Sequence, residues 1–229
     1  MKASPKIVRW SLIAIGIALV VPFVSDKIGS LDRTGAVMSL VVEYRKLWLY
    51  GAVILGMCYF EKADWKSLGL NIPKPQRAVI GTVVGSFATL VILFGIGLFW
   101  RQQGELYLEE GNIYFLGQSI PAAAIRPSLL YLMLPNQVLS VAFPEELFSR
   151  GYVQTRLMMS WSPLIAIIGS SVLFALAHIE TPQMLIHLVL TAPLLGIVFY
   201  WSRTIWSVVI VHYVGNLGAL FVFKAILLS

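Results

Sequence analysis

Pro144-Glu145-Glu146-Leu147-Phe148-Ser149-Arg150-Gly151 lies inside an otherwise apolar run from Leu129 to Leu157. Carboxylates and guanidinium groups near the centre of a membrane helix each cost roughly 2.5–3.5 kcal/mol on insertion scales. Such groups persist only when paired, hydrated or used. Glu146 and Arg150 stand four residues apart, so they share one helix face and can neutralise each other. Glu145 points about 100° away from Glu146 and needs a partner from another helix. The strongly polar candidates within other apolar runs are His178, His187, His212 and Asn216.

The composition sets the environment of this stretch. The chain has 229 residues, of which 58% are hydrophobic and 12% charged, with a mean hydropathy of +0.81. A soluble domain carries about 25% charged residues, so the chain reads as an all-α polytopic membrane protein. The net charge of +6 is scattered over loop edges. That suits anchoring and orientation in a cell membrane rather than nucleic-acid binding. Cys58 is the sole cysteine and sits in an apolar run, where a small buried hydrophobe is the simplest reading.

Taken in order, the apolar runs predict about seven transmembrane helices. They are Trp10–Val24, Val37–Phe60, Ala78–Trp100, Leu129–Leu157, Leu164–Ile179, Met184–Trp201 and Ile205–Phe223. The polar stretch from Arg101 to Pro127 is expected to hold a short surface helix, or a re-entrant piece that would make eight. Glu43, Arg45 and Lys46 interrupt the second run and read as an interfacial turn with snorkelling side chains. Pro144 is expected to kink the fourth. Residues 1–128 form an N-terminal set of helices and loops, and 129–229 a helical core holding the polar groups, within one membrane domain.

Depth arithmetic brings four of these groups together. Glu145 and His178 lie almost equally far along the chain on either side of the turn at Trp161, roughly 25 Å deep at 1.5 Å per residue. His212 and Asn216 fall roughly 14 and 20 Å beyond the turn at Arg203, on one helix face. The expectation is a bundle with a conical or cleft-like polar cavity. His187 lies near the interface and reads as a packing histidine.

The motifs of other intramembrane hydrolases, His-Glu-x-x-His, Gly-x-Ser-x-Gly and Gly-x-Gly-Asp, are missing. A carboxylate, two imidazoles and a carboxamide suit hydrolysis by an activated water. Two other readings stay open at this point: a non-enzymatic immunity or scaffold protein, and a proton-coupled transporter using the Glu and His groups as a relay.

Glu145-Glu146-x-x-x-Arg150-Gly151, Phe174-x-x-x-His178 and His212-x-x-x-Asn216, in that order, resemble the three motifs of the CAAX-protease and bacteriocin-processing (CPBP, or ABI) family of intramembrane endopeptidases. Leu195-Gly196 through Trp206 is similar to that family's approach to the last motif. The resemblance covers about Leu129 to Gly218. It departs at Ser149, where bacterial members usually carry an aromatic residue. It implies that Glu145 and His178 activate water, that His212 and Asn216 stabilise the tetrahedral intermediate, and that Glu146 and Arg150 are structural or substrate-orienting. It further implies a membrane-anchored protein or peptide as substrate, with membrane lipid around it. No metal is the favoured reading. Zn²⁺ held by Glu145, His178 and His212 with an open fourth position is the alternative.

Overall fold

The computed structural model describes residues 5–32, 34–63, 65–115, 118–178 and 184–228. The helices are α1 (Pro5–Gly29), α2 (Gly35–Glu43), α3 (Arg45–Glu61), α4 (Pro75–Gln102), α5 (Pro127–Asn136), α6 (Phe143–Glu146), α7 (Thr155–Ser160), α8 (Pro163–Leu176), α9 (Met184–Ser202) and α10 (Ile205–Leu228). Four of them, α1, α4, α9 and α10, are long and apolar enough to cross a membrane. The protein is a helical membrane protein. The expected turn at Glu180–Pro182 lies outside the described residues.

Two predicted elements are corrected. The second apolar run is not one helix: it breaks at Tyr44 into α2 and α3, where charged residues crowd both sides of the break. Within Arg101–Pro127 the described residues form no surface α-helix. They form three antiparallel strands, β1 (Leu106–Glu109), β2 (Asn112–Phe115) and β3 (Gln118–Pro121), in the order β1-β2-β3, followed by a short 3₁₀ turn. The first hairpin turns on Glu110 and Gly111, both at positive φ (48° and 77°), as tight hairpin turns require. Leu106 and Ile113 pack with Ile125 against Phe223 of α10. Lys224 Nζ ties the end of the sheet segment to α10 by donating to the carbonyls of Ala122 and Ile125 at 2.7 and 2.9 Å.

Residues 127–160 form one continuous helical rod through the middle of the bundle. It is wound unevenly, because π-helical segments at Gln137–Ala142 and Leu147–Gln154 flank α6. Pro144 has no N–H, and its ring crowds the carbonyl four residues back. The disturbance expected there takes the form of widened turns, which recur at functional sites.

The other helices alternate in direction around the rod. Ser11 of α1 donates to the Arg156 carbonyl at 2.6 Å, while Asp26 near the other end of α1 lines a pocket with Glu145, so α1 runs antiparallel to the rod. α3 runs parallel to it. Near the start of α3, Lys46 is ion-paired to Glu145, and at its end Glu61 takes Arg156 Nε at 2.6 Å and the Tyr152 hydroxyl at 2.6 Å. α9 is parallel as well, because Arg150 and Gln154 donate to the carbonyls of Ala192 and Gly196 at 3.1 and 3.0 Å. α10 returns antiparallel and brings His212 beside Glu146.

α4 shows how the bundle sorts membrane from core. Val79, Val83, Phe87 and Val91 are exposed and form a stripe fit for acyl chains. Gly81, Gly85, Thr89 and Leu93 form the buried stripe against α9 and α10. Small residues at four-residue spacing let helix backbones approach in a membrane. A Cβ on Gly85 would meet Val198 and Val211 at 2.8 and 3.0 Å. Gly85→Leu is therefore expected to destabilise the fold by about 1–3 kcal/mol, seen as a lowered Tm in detergent, whereas Val83→Leu on the exposed stripe leaves Tm unchanged.

Candidate active site

The acid pair stands on α6, between the two π-helical segments. Glu146 and Arg150 are fully enclosed and Glu145 is 4% exposed. Arg150 Nε lies 3.5 Å from Glu146 Oε2. That is an ion pair longer than a hydrogen bond. The guanidinium also sits over the Phe174 ring, 5.0 Å from its centroid. The other oxygen of Glu146, Oε1, is 2.7 Å from His212 Nδ1. A carboxylate only accepts, so Nδ1 carries the proton. His212 Nε2 then faces Glu145 Oε2 at 3.9 Å. In the neutral ring that nitrogen is an acceptor, and in the imidazolium it is a donor.

His178 lies just beyond the end of α8. Its Nδ1 is 2.9 Å from the Phe174 carbonyl, which likewise fixes the proton on Nδ1 and leaves Nε2 as a lone pair. The Phe174 ring stands between the imidazoles, with centroids 4.9 Å from His178 and 6.2 Å from His212. Asn216 Nδ2 donates to Gln137 Oε1 at 3.3 Å, which spends one of its two amide hydrogens.

A cavity of about 500 Å³ opens on this cluster. Glu145, His178, His212 and Asn216 all line it, together with Lys46, Gln137 and Phe174. The rest of its wall is largely apolar, from α4, α9, α10 and the isoleucines of the sheet segment. The structure thus brings the four sequence-predicted groups to one chamber. Glu146 and Arg150 sit behind it: Glu146 orients His212, and Arg150 neutralises Glu146.

His187 lines the same cavity. Lys46 departs from its expectation. It does not snorkel to the interface; it is ion-paired to Glu145 Oε1. Sequence reasoning sought Glu145's partner among imidazoles and amides, although an isolated buried acid most needs a cation. The signal was present in the cluster Glu43, Arg45 and Lys46 inside an apolar run. Gln137 gave no such signal, because a lone glutamine in an apolar segment has no spacing partner.

One oxygen of Glu145 carries an ammonium group, and among the described residues no three His, Cys, Asp or Glu side chains converge as a ligand set.

An enclosed acid pair facing imidazoles and a carboxamide, in a chamber between membrane helices, defines the class of site. Residues 127–218 match the family described as type II CAAX prenyl endopeptidase Rce1-like. The matched segment carries all three motifs. No curated protein and no solved structure matches the chain.

Removing one partner of an enclosed ion pair leaves a charge without compensation, at about 3–5 kcal/mol. Arg150→Met is expected to lose that much stability. Thermal unfolding in detergent reads it, with Lys74→Met at the exposed residue before α4 as the neutral control.

Proposed function

We propose that this chain is an intramembrane endopeptidase of the CAAX type, which hydrolyses a peptide bond of a membrane-anchored, lipid-bearing protein or peptide. The observation that carries the reading is the arrangement Glu146–His212–Glu145, in which one carboxylate of an adjacent pair orients an imidazole toward the other.

In this reading Glu145 and the bare Nε2 of His178 take the proton from a water held between them, and its oxygen attacks the scissile carbonyl. The carbonyl electron pair moves to oxygen. His212, acting as the imidazolium, and the spare amide N–H of Asn216 donate to that oxyanion. As the intermediate collapses, the carbon–nitrogen bond breaks and the departing nitrogen takes the proton back. Glu146 and Arg150 keep His212 in place and touch no reacting atom. The largely apolar wall of the chamber suits the lipid portion of such a substrate. The chemistry needs no metal ion, and the ammonium on Glu145 supports that choice.

We also infer seven crossings: α1, α3, α4, the 127–160 rod, α8, α9 and α10. The alternation in direction around the rod supports this count, although α3 and α8 are short.

A farnesylated peptide ending in a CAAX-type sequence, presented in liposomes with the purified protein, tests the function, with mass spectrometry of the products. The expected result is release of a C-terminal fragment. Glu145→Gln should lower kcat by about 10²–10⁴-fold, the usual worth of a positioned base, and exhaustive chelation should leave the rate unchanged. Intact peptide with folded wild-type protein would refute the reading.

A further inference from the structure

Lys46 comes from α3, outside the 127–218 segment that carries the three motifs. The described residues hold three pairs of a carboxylate with a lysine or arginine on the rod, and they differ in access. Arg150 with Glu146 is 0% exposed on both sides, and Arg156 with Glu61 is 2% and 5% exposed. The Lys46 side chain is 19% exposed. A cation whose only task is neutralisation needs no such opening.

The opening leads to the reacting groups. Besides the large chamber, a smaller cavity of about 150 Å³ lies between α1, α3 and α8, with Asp26, Tyr50 and Ser149 in its wall. Lys46, Glu145, Phe174 and His178 line both cavities. The ammonium group therefore stands in the partition where the two spaces meet, beside the acid that would hold the water.

The donor inventory gives it a task. An ammonium has three N–H groups, and the Glu145 bond uses one. His178 has committed its single N–H to the Phe174 carbonyl, and His212 has committed its Nδ1–H to Glu146, which leaves the imidazolium one N–H at Nε2. Asn216 has one amide hydrogen left after Gln137. Lys46 thus brings two spare donors and a full positive charge to the chamber.

Resting on the endopeptidase reading above, we propose that Lys46 is a further catalytic residue, whose ammonium donates to the scissile carbonyl oxygen as it becomes the oxyanion. Lys46 transfers no proton in this step. The carbonyl electron pair moves to oxygen on attack and returns on collapse, while the water proton, taken up at Glu145 and His178, passes to the departing nitrogen.

The test uses the full chain in detergent and three ligands: the farnesylated CAAX-type peptide, its phosphonamidate analogue with an anionic tetrahedral centre, and its neutral alkene isostere without the carbonyl oxygen. Lys46→Met should lower kcat by about 10²–10³-fold, as loss of an oxyanion donor does, with KM little changed. It should weaken the phosphonamidate by a similar factor and leave alkene binding unaltered. Lys46→Arg should retain phosphonamidate binding. Lys46→Gln serves in place of the methionine variant if that variant does not fold.

Equal losses for phosphonamidate and alkene, with a lowered Tm, would make Lys46 structural and overturn the proposal. Wild-type kcat in Lys46→Met would overturn it while leaving the endopeptidase reading intact. A folded wild type that neither cleaves the peptide nor binds either analogue would overturn both.

Discussion

Two adjacent carboxylates enclosed among apolar helices govern how this bundle is assembled. Bringing a charge out of water costs several kcal/mol even after relaxation. Two anions side by side add their mutual repulsion. The fold answers by giving each acid its own cation from a different source. Glu146 takes Arg150 from its own rod, one turn on, and Glu145 takes Lys46 from α3. The imidazole of His212 spans the two. Those links require α3, the rod and α10 to meet at one level, and α8 and α9 close the remaining sides.

The uneven winding of the rod belongs to the same requirement. Adjacent residues on a regular α-helix diverge by about 100°, yet Glu145 and Glu146 both reach His212. The site sits on the one short α-helical piece between two π-helical segments. Pro144 is the second residue of that piece, buried at the point where a regular helix would need its missing N–H. The local sequence thus favours a backbone that departs from ideal geometry where the chemistry is placed.

Much of this was legible from residue spacing. The four-residue interval fixes the Glu146–Arg150 pair, and depth from the turns at Trp161 and Arg203 places Glu145, His178, His212 and Asn216 at one cavity. Lys46 was misread because its charge lies near a helix start, where interfacial and inward-facing lysines look alike in sequence. The three-stranded sheet was missed because the polar stretch from Arg101 to Pro127 read as a solvated surface helix. Its alternation is visible only in short pieces such as Leu106 and Leu108, and its first turn relies on a glutamate at positive φ. Gln137 could not be assigned, since its partner Asn216 lies far along the chain.

The two ion pairs joining α3 to the rod have opposite polarity. At one end α3 supplies the cation and the rod the anion; at the other, Glu61 is the anion and Arg156 the cation. If α3 lay upside down beside the rod, Lys46 would face Arg156 and Glu61 would face Glu145. Both ends would then bring like charges together where little water can screen them. The arrangement thus works as a topological key. The same four side chains that fasten these helices together also reject the inverted insertion.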